Sequence, residues 1–205
     1  EDITVTFGDP DFTLTATSSS TGGYTFAALT GGIVNITGSN ASILEGGTTT
    51  IEVTQAADAN YNEATTTFTI TVLPADLIIE AEDITVTYGD PDFTLTATSS
   101  STGGYTFTAL TGGIVNITGS NASIAGAGST TILVAQAADT NYNSATTTFT
   151  ITVLPADPII DVEDILKTCG DPDFALTATS SSTGGYTFYS SDPSVVSVDG
   201  SGTAT

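Results

Sequence analysis

Threonine and apolar residues alternate along most of this chain. Ile3, Val5 and Phe7 alternate with Thr4 and Thr6; Phe12, Leu14 and Ala16 with Thr13, Thr15 and Thr17; Phe68, Ile70 and Val72 with Thr67, Thr69 and Thr71. A period of two sends successive side chains to opposite faces of an extended backbone, so each run reads as a strand with one buried and one wet face. Threonine suits the wet face, because its branched Cβ favours extended backbone and its hydroxyl stays hydrated. Turn formers separate the runs: Gly8-Asp9-Pro10-Asp11, Thr21-Gly22-Gly23, Gly31-Gly32, Gly38-Ser39-Asn40, Gly46-Gly47 and Asp58-Ala59-Asn60. No stretch carries a helical period. The pattern predicts strands over 3–7, 12–17, 24–28, 33–37, 41–44, 48–55 and 65–73.

The same pattern then returns without insertion or deletion. Asp2–Phe12 reappears as Asp83–Phe93 and, altered, as Asp164–Phe174, an offset of 83 − 2 = 164 − 83 = 81 residues. Residues 2–82 and 83–163 differ at 13 of their 81 aligned positions. The chain therefore divides into repeat 1 (1–81), repeat 2 (82–162) and an incomplete repeat 3 (163–205). Seven short strands per unit are the arithmetic of an immunoglobulin-like sandwich. A β-solenoid would need a shorter internal period, and none is found within the unit. An odd number of up-and-down strands makes the chain enter and leave a unit at opposite poles, so the expected fold is all-β, with tandem sandwiches stacked end to end as a rod. The connector Leu73-Pro74-Ala75-Asp76-Leu77-Ile78-Ile79-Glu80-Ala81-Glu82 is short, proline-containing and apolar at its centre. It reads as a stiff joint packed on a neighbour.

Repeat 3 carries Ser190-Ser191-Asp192-Pro193-Ser194-Val195-Val196-Ser197-Val198, which resembles the signature of bacterial group 2 immunoglobulin-like domains. The run Thr87-Tyr88-Gly89-Asp90-Pro91-Asp92-Phe93, together with Gln136-Ala137-Ala138-Asp139-Thr140-Asn141-Tyr142-Asn143, is similar to repeats of large secreted bacterial surface proteins, gliding adhesins among them. Units 1 and 2 depart from the signature, with Ala27–Gly32 where unit 3 has Tyr189–Pro193. The resemblance implies a place at the bacterial cell surface, as stalk, adhesive shaft or filament subunit.

Composition narrows the classes of function. There are 23 acidic residues against a lone Lys167, a formal charge of −22. Nucleic acid is excluded as a partner, because phosphate binding needs clustered Lys and Arg. No apolar run approaches the ~20 residues of a membrane span, so no membrane insertion is expected. A chain opening on Glu1 and stopping at Thr205 inside a unit reads as a window on a longer protein, with any signal peptide outside it. Cys169 stands where the earlier units have Phe7 and Tyr88, and is expected to be a buried small hydrophobe.

Catalysis has little to stand on: histidine is absent and the cysteine and lysine are each unique. The Asp9/Asp11 pair, repeated as Asp90/Asp92 and Asp171/Asp173, is read as a turn whose acids cap backbone amides. The enzyme class is therefore set aside. Units 1 and 2 contain no lysine, which closes the Lys–Asn isopeptide route. Asn35, Asn40, Asn116 and Asn121 match the glycosylation pattern, a match common in so Ser/Thr-rich a chain. Threonine lattices also bind ice, but twisted sandwich strands do not offer one.

No cofactor is required, and calcium is the one ion to consider. Parity puts Asp9 and Asp11 at the upper pole beside Asp76 of the connector, and Asp139 in the last lower loop of the next unit near Glu80, Glu82 and Asp83. Clustered carboxylates there would suit a hard cation that takes 6–8 oxygens. Tyr61 and Tyr142, ahead of the last strand, are expected to plug their own sandwich as a tyrosine corner does. Thr65–Val72 is expected to be an uncharged edge strand able to pair between chains.

The expected function is a structural shaft of a secreted, extracellular bacterial adhesin or filament that holds a tip away from the cell. Its expected partners are neighbouring repeats and other copies of the chain. A glycan- or surface-binding module working by avidity is the alternative.

Overall fold

The computed structural model describes residues 1–205, all extended strands and loops, with no helix. Two compact units are found, Glu1–Leu154 and Pro155–Thr205. The first unit contains two complete sandwiches of one design.

In the first module the strands are β1 (Ile3–Thr6), β2 (Phe12–Thr13), β3 (Tyr24–Ala28), β4 (Val34–Thr37), β5 (Asn40–Ile43), β6 (Gly47–Gln55) and β7 (Ala64–Leu73). They form a four-stranded sheet ordered β1-β7-β6-β3 and a three-stranded sheet ordered β2-β5-β4. The second module repeats this with β8 (Ile84–Thr87), β9 (Phe93–Thr94), β10 (Tyr105–Ala109), β11 (Val115–Thr118), β12 (Asn121–Ile124), β13 (Gly128–Gln136) and β14 (Ala145–Leu154). The protein is thus an all-β chain of tandem immunoglobulin-like sandwiches. Pairing is antiparallel throughout the two modules except at β1–β7 and β8–β14, which are parallel.

That parallel pair settles the polarity of each module. Ile3 lies opposite Ile70 and Thr6 opposite Leu73, so the first and last strands run in one direction. The chain accordingly enters at one pole and leaves at the other, as seven strands require.

Each module has its own core. The first is built on Leu14, Val34, Ala41, Ile51, Ile70 and Val72; the second on the equivalents Leu95, Val115, Ala122, Ile132, Ile151 and Val153, joined by Val134, Phe149 and Ile79. Apart from Ile79, which comes from the connector, these are inward-facing apolar members of strands or extended runs, buried by the period of two. A buried glutamine closes one end of each core. Gln55 Nε2 donates to the carbonyls of Ser20 (3.3 Å) and Gly22 (3.0 Å), and its Oε1 accepts from the Ser18 hydroxyl (2.5 Å). Gln136 does the same for Ser99, Ser101 and Gly103. No buried side-chain polar atom lacks a partner, as burial in a low dielectric demands.

Three expectations need correction. The run 12–17 is paired as a strand only at Phe12 and Thr13, because it lies at the edge of the smaller sheet. Strand β7 lies inside its sheet: β6 covers one side along its length and β1 the other from Ile70 to Leu73, so the expected edge is confined to one side of the strand before Ile70. Cys169 is exposed. The position is a turn in which burial varies between units: its counterpart Phe7 is half-buried against the first core, whereas Tyr88 is exposed.

The second unit, Pro155–Thr205, holds four two-residue strands: β15 (Ile160–Asp161), β16 (Phe174–Ala175), β17 (Thr179–Ser180) and β18 (Thr203–Ala204). β15 pairs with β17 and β16 with β18. Lys167 stands over the Phe174 ring at 4.9 Å.

Candidate functional site

The most specific contacts lie where the second module meets the first. They are made by the connector Leu73–Glu82 and by the loop Asp139–Asn143 ahead of β14. The Ala75 N–H donates to the Asn141 carbonyl (2.9 Å), and the Asn143 N–H donates to the Ala75 carbonyl (2.8 Å). The Asn143 side-chain amide adds bonds to the Pro74 carbonyl (3.3 Å) and Asp76 Oδ1 (3.1 Å). The Tyr142 ring stands edge-on to Phe7, with centroids 5.5 Å apart and planes at 78°. Asn141 Oδ1 accepts from the Gly46 N–H at 2.9 Å. Three consecutive residues of one module, Asn141, Tyr142 and Asn143, thus grip three separated segments of the other.

Gly46 is there because nothing larger fits. A Cβ on it would fall on the Thr140 carbonyl oxygen and lie 3.1 Å from its carbonyl carbon. The equivalent position in repeat 2 is Ala127.

The gripping loop is held in shape by Asp139. Its Oδ2 accepts from the Thr102 N–H (2.9 Å) and the Ser101 and Thr102 hydroxyls (2.8 and 3.2 Å), and its Oδ1 from the Asn141 and Tyr142 N–H groups (2.9 and 2.8 Å). The Thr102 amide foremost, then the Ser101 hydroxyl, hold this carboxyl well below the usual carboxylate range. Asp58 braces the first module's loop in the same way, with the Asn60 and Thr21 amides as the main cause of the same downward shift.

Beyond Ala75 the connector becomes part of the second sandwich. Leu77, Ile79 and Ala81 turn inward by strand alternation; Ile79 is 7 % exposed, whereas Ile78 is 80 % exposed. Glu80 and Thr98 exchange N–H to carbonyl bonds, both of 2.9 Å. The joint is therefore an extended segment bridged to the second module at Ala75 and Glu80 and buried in its core at Ile79, not a tether.

The seven carboxylates singled out from the sequence are distributed as follows. Asp9 Oδ2 accepts the Thr6 N–H (2.7 Å) inside its own turn, and Asp11 accepts from the Asn40 amide (3.2 Å). Asp76 is engaged by Asn143, Asp83 by the Thr150 N–H (2.6 Å), and Asp139 by its own loop. Glu80, Glu82 and Asp83 line one shallow cleft with Thr96 and Thr98. No three of the chain's carboxylate or thiol groups are gathered as a metal ion would need.

Tyr142 corrects the tyrosine-corner expectation, since it packs across the joint rather than into its own sandwich. Its counterpart Tyr61 is 48 % exposed. Sequence reasoning passed over Phe7, Gly46, Asn141 and Asn143 as parts of a site. The available signal was that Asn-Tyr-Asn is retained in both repeats while Gly46 becomes Ala127.

No protein-family model matches the chain, and no curated protein matches it. Among solved structures it is similar to human protocadherin-24 EC1-2 at 11 % identity and TM-score 0.34, covering 76 % of this chain and 95 % of that one. Mouse protocadherin-24 EC1-3 is similar at 13 % identity and TM-score 0.35, covering 99 % and 82 %. The surface layer protein SbsC, domains 4–9, is similar at 17 % identity and TM-score 0.32, covering 83 % of this chain and 29 % of that one.

Proposed function

We propose that this chain is a spacer: the shaft of a secreted bacterial surface adhesin or filament, extracellular, whose work is to hold a distal part away from the cell. One observation carries the reading. The parallel pairing of first and last strands sends the connector out of the far pole, and the connector is then built into the next core by Ile79 and the Glu80–Thr98 pair. Such a joint transmits load through backbone hydrogen bonds and a buried apolar anchor, Ile79, instead of a loose linker. The high negative charge opposes collapse of modules onto one another. The reading assigns no reaction and needs no cofactor; its partners are neighbouring modules and other copies of the chain. A glycan-gripping array is not preferred, because the exposed tyrosines of the two modules, Tyr61 and Tyr88, stand singly.

The test is the distance between spin labels at the exposed, repeat-equivalent Ser39 and Ser120, each changed to Cys with Cys169→Ser. A single narrow distribution is expected. A broad one, spanning folded-back and extended arrangements, would defeat the spacer reading.

A further inference from the structure

The acidic residues avoid the strands of the two modules: within β1–β14, Glu52 of β6 is the one charged residue. Repeat 2 has Leu133 at that position, and Glu45 and Glu63 become Gly126 and Ser144. The outward face of the second module's larger sheet is therefore uncharged across all four strands. Alternation identifies that face, since Thr130, Ile132 and Val134 of β13 are buried while Thr131 and Leu133 point the other way. Register sets Thr108, Leu133 and Thr148 side by side near its middle. Leu110 lies beside Thr131, to whose carbonyl its N–H donates at 2.9 Å. The other outward positions hold threonine, serine or alanine. The nearest acid, Asp83, stands at the margin with its carboxylate on the Thr150 N–H (2.6 Å). Neighbouring modules leave the face open: Leu110, with a module before it, is 58 % exposed, and its counterpart Leu29, with a module after it, 57 %.

We propose that the second module pairs through this face with the same face of a second copy of the chain, a two-fold contact built around Leu133 and its threonine neighbours. The proposal rests on the spacer reading and deepens it, by naming the surface through which shafts associate side by side. Charge chooses the occupant. Copies of a chain of charge −22 repel one another, so they approach closely only where neither presents a carboxylate. A cationic partner would select the acidic loops instead, and the face carries no aromatic ring on which a sugar could stack. Hydroxyls both donate and accept, which makes a threonine face complementary to itself; within the sheet Ser129 and Thr152 already pair at 3.1 Å. Four strands ~4.8 Å apart and about 25 Å long present about 500 Å². Two copies bury about 1,000 Å², the size at which a weak specific contact begins. The first module is excluded, because Glu52 would meet its own copy as a desolvated pair of like charges.

The test is sedimentation equilibrium of the full 205-residue chain. Cys169→Ser removes the exposed thiol, which could otherwise link copies covalently. Concentrations run from ~10 µM to ~1 mM, at low salt and at ~0.5 M salt, where the Debye length falls to about 4 Å. A reversible monomer–dimer equilibrium is expected, tighter at high salt because the repulsion is screened. Leu133→Glu installs the residue that the first module carries at the same position, so the fold is kept, and it should weaken the dimer about tenfold or more. Asn116→Asp adds the same charge on the exposed face of the opposite sheet and should change it less than about twofold at high salt. Glu52→Leu gives the first module the second's face and should tighten association. A chain that stays monomeric to ~1 mM at high salt, or equal losses for Leu133→Glu and Asn116→Asp, would overturn the assignment. So would a monomer that adsorbs to microcrystalline cellulose in a Leu133-dependent way, which would give the face to a glycan. None of these results would move the Ser39–Ser120 label distance within one dilute chain, so the spacer reading fails or survives separately.

Discussion

Replacing Gly46 by alanine adds a single methyl group, yet two parts of the molecule should respond with opposite sign. Gly46 does not have a positive φ, so alanine meets no backbone strain there. Removing glycine restricts the unfolded chain and by itself stabilises the first module by about 0.4–1 kcal/mol. Across the joint the new Cβ collides with the Thr140 carbonyl, a backbone group that cannot swing aside as a side-chain tip would. Forced displacement in a packed contact costs about 1–3 kcal/mol, and the Gly46–Asn141 bond, worth about 1 kcal/mol, is lost with it. The joint is therefore weakened by roughly 2–4 kcal/mol, or about 30- to 700-fold in the opening equilibrium at 1.4 kcal/mol per tenfold. Amide exchange measured residue by residue reads both effects in one sample. Ala75 and Asn143 should exchange faster by that factor, while β6 and β7 hold or gain protection. Unchanged exchange at Ala75 and Asn143 in a folded variant would refute the view that close backbone approach at Gly46 locks the joint.

Four further outcomes follow from the same contacts. Tyr142→Ala removes the edge-on pair with Phe7 and should weaken the joint by about 1–3 kcal/mol of aromatic and burial energy, seen as a broadened Ser39–Ser120 label distance; Tyr61→Ala, at an exposed position, should leave that distance unchanged. Asp58 and Asp139 have folded-state pKa values depressed by loop amides and hydroxyls, so their stabilisation is present above the unfolded carboxylate value near ~3.9 and is lost as pH falls below it. Amide exchange of Asn60 and Asn141, corrected for its intrinsic pH dependence, should be level from about pH 7 to pH 5 and accelerate below about pH 4. Ile79→Asp places a charge in the second core and should lower the melting temperature of the second module while sparing the first, read from differential scanning calorimetry. Calcium should leave Ala75 and Asn143 exchange unaltered, because the joint closes through backbone and amide groups; chemical shifts confined to Glu80, Glu82 and Asp83 would mark any site the ion finds.

Much of this was legible in the residues alone. The Thr-alternating runs placed seven strands per module within a few residues of those observed, because a period of two leaves little freedom about which face is buried. Opposite poles followed from counting to seven, and the parallel β1–β7 register agrees. The Asn-Tyr-Asn loop was misassigned for a physical reason. A tyrosine ahead of a final strand has two apolar destinations, its own core or a neighbour's, and strand period does not choose between them.

Sequence by itself determined the strand class, the modular repeat and the direction in which each module hands the chain to the next, all consequences of local periodicity and of an odd strand count. The tertiary structure alone decided that Phe7, Gly46, Ala75 and Tyr142 form one joint, and that the connector from Leu77 onward belongs to the core that follows it. Those contacts join residues far apart in sequence, 142 − 7 = 135 positions for Phe7 and Tyr142 and 95 for Gly46 and Asn141, and depend on which backbone atoms come close enough to exclude a methyl group. No local pattern encodes a distance of that kind.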